Sequence, residues 1–405
     1  MSDLAPPLPP APPLLLGRLP RPGEWLLRDG RAQGWALVVL TLFALNAAAH
    51  ATAGFPATDF TALWSYGRML HEHPAAALYN QDAMTTYHVL AGIEVKYANA
   101  FPYPPIFMLM VWPMGYLPVG AAFYVWVTTT MAAFVWAASG GWLRPRTALL
   151  LLLAPPTVAG VVAGQNGFLT AALLLGGMRL IGPRPVLGGL LIALLAYKPQ
   201  LGVLVPVALA AAGNWRGIVA TGAWLLALAA LTSVLFGADI WLDWLSTLPG
   251  YASSFAGRDA LLRLQPTPLA NLQQWGMASL PAHAIQTVLS LAMAILVWRT
   301  WRRGASLPAI GVLVAATFIA TPHAFFYDMP ALTAAVLFLG MARIQQGTLW
   351  VGEALLLATV LCVPEAMIWA ENAVSLPPLL AFTLWAAWRT LPSYTVANCS
   401  SASRA

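Results

Sequence analysis

The chain has 405 residues, 60% of them hydrophobic and only 8% charged, with a formal net charge of +6. Soluble domains carry about 25% charged residues, so a soluble globular class is excluded, and apolar runs that are continuous rather than alternating exclude a β-barrel. The cations stand in short loops between apolar runs, which is the signature of a membrane-facing loop and not of a nucleic-acid surface.

In chain order, residues 1–33 open with "MSDLAPPLPPAPPLLLGRLPRP", a Pro-rich lead-in that is disordered or lies on a surface. It lacks the apolar core and small-residue cleavage site of a signal peptide. Apolar runs of roughly bilayer-spanning length then follow at 34–53, 119–140, 147–163, 167–181, 185–199, 201–213, 217–236, 283–299, 306–321, 325–342, 350–370 and 376–390, about twelve in all. The expected fold is an all-α polytopic membrane protein with a multi-spanning domain over 34–390, loops at 54–102 and 237–282, and a polar tail at 391–405. Cys362 and Cys399 give no disulfide framework.

The segment "YPPIFMLMVWPMGYLP" (103–118) decides the topology. As a full span it puts Arg144, Arg146, Arg179 and Arg184 outside. As a half-helix or re-entrant piece it puts them inside, with Arg18, Arg21, Arg28, Arg31, Arg216, "RTWRRG" (299–304), Arg343 and Arg389. The positive-inside rule prefers the second arrangement, with both termini cytoplasmic. The polar clusters then collect on the outer face: the 54–102 loop with Asp59, "YPP" (103–105), "GQNG" (164–167), "YKPQ" (197–200), the 237–282 loop and "TPHAFFYD" (321–328).

Each cluster has two readings. Asp59, in "ATDFTALWSYGRML", either caps the next helix or serves as a general base at the membrane surface, where an acid is costly unless used. Leu63, Trp64, Met69 and Leu70 against Arg68, His71, Glu72 and His73 predict an amphipathic helix lying in the interface. The spacing of His71 and His73 points them apart and argues against a metal. Lys198 either snorkels to the interface or offers a fixed ammonium to a lipid phosphate. Gln165 and Asn166 either make a turn or bond a sugar or phosphate. His323, Tyr327 and Asp328 share another outer turn. Arg258 and Arg263 break the charge trend, and an anionic ligand is one reason for that. Asp239 and Asp243 read as a solvated face. There is no P-loop, dinucleotide-binding glycine pattern or nucleophile elbow, nor an Asp-x-Asp cluster for a metal-bound nucleotide.

Five stretches together carry a resemblance: "TDFTALWSYGRMLHEHPAAALYN" (58–80), "FPYPPIFMLMVWPMGYLP" (101–118), "GQNGFLTAALLLGG" (164–177), "RPVLGGLLIALLAYKPQLGVLVPVALAAAGNWR" (184–216) and "ATPHAFFYDMPAL" (320–332). In order and spacing they resemble the polyprenyl-phosphate-dependent mannosyltransferases of glycosyltransferase family 87, a branch of the C-type multi-spanning fold. The resemblance covers roughly 35–390. It implies Asp59 as catalytic base, Lys198 near the donor phosphate, and Gln165, Asn166, His323, Tyr327 and Asp328 as family elements read here as substrate contacts; the residues themselves add Tyr103 as a further contact and Arg258 or Arg263 as further cations for the phosphate. The 237–282 loop matches least well.

The implied reaction moves a hexose, mannose first, from polyprenyl phosphate to a glycan or glycolipid acceptor, with inversion. The partners are the lipid-linked donor, the acceptor and the bilayer, with no nucleic acid. No cofactor is implied and no metal is required, although some relatives in the wider fold use one. The plasma membrane is the expected location, with the site facing the periplasm or exterior. A transporter or flippase of a lipid-linked sugar is the rival. Such proteins often place sites near the midplane, whereas here the polar residues gather at one face.

Overall fold

The computed structural model describes residues 59–93, 101–140, 145–253 and 259–391, and among them every regular element is helical. The expected first span at 34–53, together with Arg258 and Cys399, lies outside the described residues. The helices are α1 (Asp59–Glu72), α2 (Gln81–Leu90), α3 (Pro105–Tyr116, mixed 3-10 and α turns), α4 (Val119–Ser139), α5 (Pro145–Leu153), α6 (Pro155–Ala163), α7 (Gly167–Leu180), α8 (Pro185–Leu195), α9 (Val205–Ala211) and α10 (Trp215–Phe236). They continue with α11 (Ile240–Ser253), α12 (Asp259–Arg263), α13 (Pro268–Gln274), α14 (Ser279–Trp301), α15 (Leu307–Ala320), α16 (Pro330–Gln345), α17 (Val351–Leu361), α18 (Val363–Trp369) and α19 (Leu376–Thr390). Single 3-10 turns sit at Ala75–Tyr79, Pro199–Leu201 and Phe326–Asp328.

Among the described residues three helices, α4, α10 and α14, are long and apolar enough to cross a membrane, and α17 with α18 makes a fourth candidate bent by 51°. The other apolar runs expected to span give shorter helices. A 14-residue helix such as α7 or α15 reaches about 21 Å, short of a hydrocarbon core of about 30 Å. Proline is the cause at several breaks. The run at 147–163 splits at Ala154, which is extended (ψ 136°) ahead of Pro155 and Pro156, because a residue before proline is forced out of the helical region. Lys198 leaves the helix before Pro199 for the same reason (φ −126°, ψ 71°).

Helices α7 and α15 are apolar all round and buried along nearly their whole length, as a helix at the centre of a bundle must be. Around them, α7 packs on α4, α8 and α16, and α15 packs on α14, α16 and α19. By contrast α10 and α14 leave Leu226, Val234, Val288 and Leu291 exposed, apolar faces that suit lipid.

Helix α1 departs from the interfacial reading. Leu63 and Met69 are buried, and the helix lies against α3 so closely that a Cβ on Gly67 would come within 2.2 Å of the Val111 carbonyl. Trp64 Nε1 donates to Leu117 O at 2.9 Å. The apolar stripe of α1 is covered by protein rather than by lipid.

Helices α7 and α8 pack together in opposite directions, and this sorts the polar groups. Helix α7 runs from the Gly164–Asn166 turn to Arg179, and α8 runs from Arg184 back to Lys198. Helix α16 runs from Asp328 to Arg343, and Asn214 before α10 donates to Ile181 O at 3.3 Å, near Arg179. The arginines at 179, 184, 216 and 343 thus share the end of the bundle opposite Lys198 and Asp328. Arg389 joins them there through Glu353, which also pairs with Arg343.

Candidate active site

Six segments distant in sequence converge at the other end. The turn after α6 begins this. Gly164 has φ +62°, where an L side chain is strained, and a Cβ there would also press on Phe123 and Phe60. Gln165 Nε2 donates to the backbone oxygen of Asp59 at 3.3 Å, and Trp126 Nε1 donates to Gln165 O at 3.3 Å. Asn166 is fully buried, and its Nδ2 donates to the Tyr103 hydroxyl at 2.9 Å. Gly167 then lets α7 start against the 326–328 turn: a Cβ there would sit 1.6 Å from Tyr327 O. The Gln-Asn turn is therefore the keystone joining the start of α1, the 101–105 segment and the Tyr-Asp turn.

Tyr197 and Lys198 enter from the end of α8. The Tyr197 hydroxyl donates to Asn166 O at 3.1 Å and shares a hydrogen bond with Thr170 Oγ1 at 2.6 Å, while its ring stacks on Phe107 at 4.6 Å. Lys198 Nζ donates to Asp328 Oδ1 at 2.5 Å, across 130 residues of sequence. Both side chains are buried, 5% and 1% exposed, so this is an ion pair taken out of water. Asp328 Oδ2 accepts from Phe325 N at 3.1 Å, and the ammonium lies 4.9 Å from the centre of the Tyr327 ring. The lysine that the sequence offers to a phosphate thus already has a carboxylate partner.

The stretch Leu264–Thr267 is stitched onto the Pro-His turn by three bonds. Phe326 N donates to Leu264 O at 2.9 Å, Thr267 Oγ1 donates to Pro322 O at 3.3 Å, and His323 Nδ1 lies 2.9 Å from Gln265 Oε1. Asn271 ties the same stretch to Ser375 and to Leu376 N. Gln286 binds the Leu269 amide and the carbonyls of Ile319 and Ala320. Burial first, and then the Lys198 charge, pushes the His323 imidazole down to about 4.

These segments wall a cavity of about 740 Å³. Its polar lining includes Tyr103, Tyr197, Lys198, Gln265, His323 and Asp328, with Gln200, Gln273, Ser279 and His283, and its apolar lining includes Trp244, Leu248, Leu262, Leu269 and Met277. Tyr327 also lines it. Asp59, Gln165 and Asn166 do not line this cavity; they stand behind Tyr103, linked to it through Asn166. The Asp59 charge nevertheless adds to the burial that raises the Tyr66 phenol. Arg263 is half-buried beside the lining residue Leu262 but is not itself in the lining.

Among the lining residues that sequence reasoning does not single out are Tyr197, Gln265 and Trp244. Tyr197 is adjacent to Lys198 and reads there as membrane-edge aromatic. Gln265 carries the same signal as Gln165, an amide in an apolar stretch beside a turn residue. Trp244, whose Nε1 donates to Pro102 O at 3.3 Å, looks like any tryptophan of an interfacial helix.

The model of one family, glycosyltransferase family 87, matches residues 101–322, more than half of the chain. The chain belongs to glycosyltransferase family 87. It is therefore read as a glycosyltransferase, which takes a sugar donor and an acceptor. The matched region holds Tyr103, Gln165, Asn166, Lys198, Arg258 and Arg263; Asp59, His323, Tyr327 and Asp328 fall outside it. Neither a curated protein nor a solved structure matches the chain.

Proposed function

We propose that the chain transfers a hexose, mannose in the first instance, from polyprenyl phosphate to a glycan or glycolipid acceptor, with inversion at the anomeric carbon. The observation that carries this reading is the mixed lining of the cavity, apolar side chains together with a buried ion pair and hydroxyls. Apolar side chains from α11 to α13, lining the same cavity as a lysine, a histidine and hydroxyls, fit a donor that is half prenyl chain and half phosphorylated sugar. The arginines at the opposite end of the bundle support a site on the outer face of the plasma membrane.

In the reaction the acceptor hydroxyl attacks the anomeric carbon, its proton passes to Asp59, and the bond from that carbon to the phosphate oxygen breaks. Polyprenyl phosphate leaves with the electron pair. An ammonium has three N–H donors, and Lys198 gives one to Asp328, so the ion pair can still bond a phosphate oxygen in the cavity that it lines. Arg263, next to the lining residue Leu262, supplies further positive charge to the leaving group, a role that the sequence also offers to Arg258. Because Asp59 stands behind Gln165 and Asn166, its role as base requires the acceptor to enter from the α1 side while the donor fills the cavity.

A second reading has one observation in its favour: Asp328, not Asp59, is the carboxylate that lines the cavity. Its oxygens accept from Lys198 and from Phe325 N, so acting as base would require it to give up the Lys198 pair. Purified protein in lipid nanodiscs, given radiolabelled polyprenyl-phosphate-mannose and a pool of glycan and glycolipid acceptors, separates the readings. Wild type should transfer label, and Asp59→Asn should fall at least about 100-fold with an unchanged melting temperature. Full transfer by Asp59→Asn would remove it as base. No transfer by wild type from mannose or other hexose donors would overturn the proposed activity.

A further inference from the structure

We propose that Gln200 and Gln273 hold the hydroxyls of the donor hexose and so help to select the sugar. This rests on the transferase reading and deepens it by adding two residues to its site. Several polar groups of the cavity already have protein partners. The Tyr197 hydroxyl is shared between Asn166 O and Thr170 Oγ1. Asp328 accepts from Lys198 and from Phe325 N. Ser279 and His283 are exposed and contact each other at 3.3 Å. Gln200 and Gln273 line the same cavity and are half-buried. Among the described residues, their side chains have no hydrogen-bond partner.

The backbone aims both amides. Gln200 sits in the Pro199–Leu201 turn, where Leu201 N donates to Lys198 O at 3.0 Å and Gly202 N to Pro199 O at 3.1 Å. Leu201 is buried in the core, while Gln200 stays in the lining beside Lys198. On α13, Leu269 and Gln273 stand one turn apart and both line the cavity. Asn271, two residues from each, lies about 200° round the helix from both. It is buried and tied to Ser375 and to Leu376 N, and this anchor turns the Leu269–Gln273 face to the cavity.

An amide is donor and acceptor at once, with two N–H donors on nitrogen and two lone pairs on oxygen. A sugar hydroxyl also donates and accepts. One amide can therefore bridge neighbouring hydroxyls of a hexose ring whichever way its ends are turned. The oxygens of a phosphodiester only accept, and a prenyl chain does neither. The apolar lining suits the chain and Lys198 suits the phosphate, which leaves the hexose to the two open amides. Hexoses differ in where their hydroxyls point, so a fixed pair of amides discriminates among them.

The test measures Kd on full-length protein in lipid nanodiscs for two probes, polyprenyl-phosphate-mannose and polyprenyl phosphate without sugar. In wild type the sugar should tighten binding at least about tenfold. Gln200→Leu and Gln273→Leu should each remove most of that gain and leave the Kd of bare polyprenyl phosphate within about twofold. A merely structural role would weaken both probes alike. Wild type supplies a second arm: among donors lacking one mannose hydroxyl, at least one should bind about tenfold more weakly, and one of the two leucine variants should be indifferent to the same deletion. Equal binding of the two probes by wild type, binding of neither, full retention of the gain in both variants, or equal weakening of both probes would each overturn the proposal. If wild type shows the gain and the variants lose it, yet no hexose is transferred, the proposed function fails separately and the sugar site stands.

Discussion

The two ends of the bundle each bury charge, and they do so differently. At the arginine end, Glu353 is 1% exposed and is satisfied four times over. Arg389 Nε donates to it at 2.6 Å, Trp385 Nε1 at 3.0 Å and Trp350 N at 3.3 Å, with Arg343 Nε 3.5 Å away. It closes the start of α17 onto α16 and α19. At the other end Lys198 and Asp328 form a single pair along the wall of a cavity. A buried acid enclosed by donors on four sides is architecture, whereas a buried pair with an open volume beside it is equipment for a ligand. Burial of charge alone does not mark a site; burial beside unfilled space does.

The largest expected effect tests the site end through its backbone. Gly167→Ala places a methyl group 1.6 Å from Tyr327 O, so α7 and the Tyr-Asp turn must separate. More than about 4 kcal/mol of stability should be lost, read as failure to recover folded protein. Gly182→Ala, at the arginine end with nothing within 4 Å, should melt like wild type. Next, Lys198→Met strands the Asp328 carboxylate and should cost about 3–5 kcal/mol. Adding Asp328→Leu should recover most of that stability and none of the transfer. Recovery of both would reduce the pair to architecture and erase the contrast between the two ends.

Glu353→Gln sharpens the contrast from the other side. It should lower stability by about 2–4 kcal/mol yet leave transfer per folded molecule within about twofold. The smallest effect is in pH. His323 titrates near 4 in the fold against about 6.5 unfolded, so the unfolded chain binds the extra proton first as pH falls. The stability from keeping this ring neutral is complete above about 6.5 and is lost as pH drops toward 4, by at most about 3 kcal/mol. His323→Gln should flatten the melting-temperature profile across that window.

Much of this was legible in the sequence. The segments of Asp59, Tyr103, Gln165–Asn166, Lys198 and His323–Asp328, which the sequence groups together, meet in the fold. What was not legible is pairing. Lys198 and Asp328 lie 130 residues apart, and nothing local announces that each is the other's counter-ion. Gln265 was hidden in a loop with the weakest family likeness. The amphipathic stripe of α1 was real, but periodicity cannot say whether lipid or protein covers it, and Gly67 against Val111 shows protein. Helix lengths were overestimated where an apolar run continues through proline, as at Ala154–Pro156, because hydropathy is blind to backbone breaks.

The most direct test of the central claim is photo-crosslinking with a polyprenyl-phosphate hexose that carries a photoreactive group in the prenyl chain near the phosphate. We predict label on the apolar lining, at Trp244, Leu248, Leu262 or Leu269, competed away by unlabelled donor and reduced in Lys198→Met/Asp328→Leu. Label confined to the exposed faces of α10 and α14, and indifferent to competitor, would contradict the account.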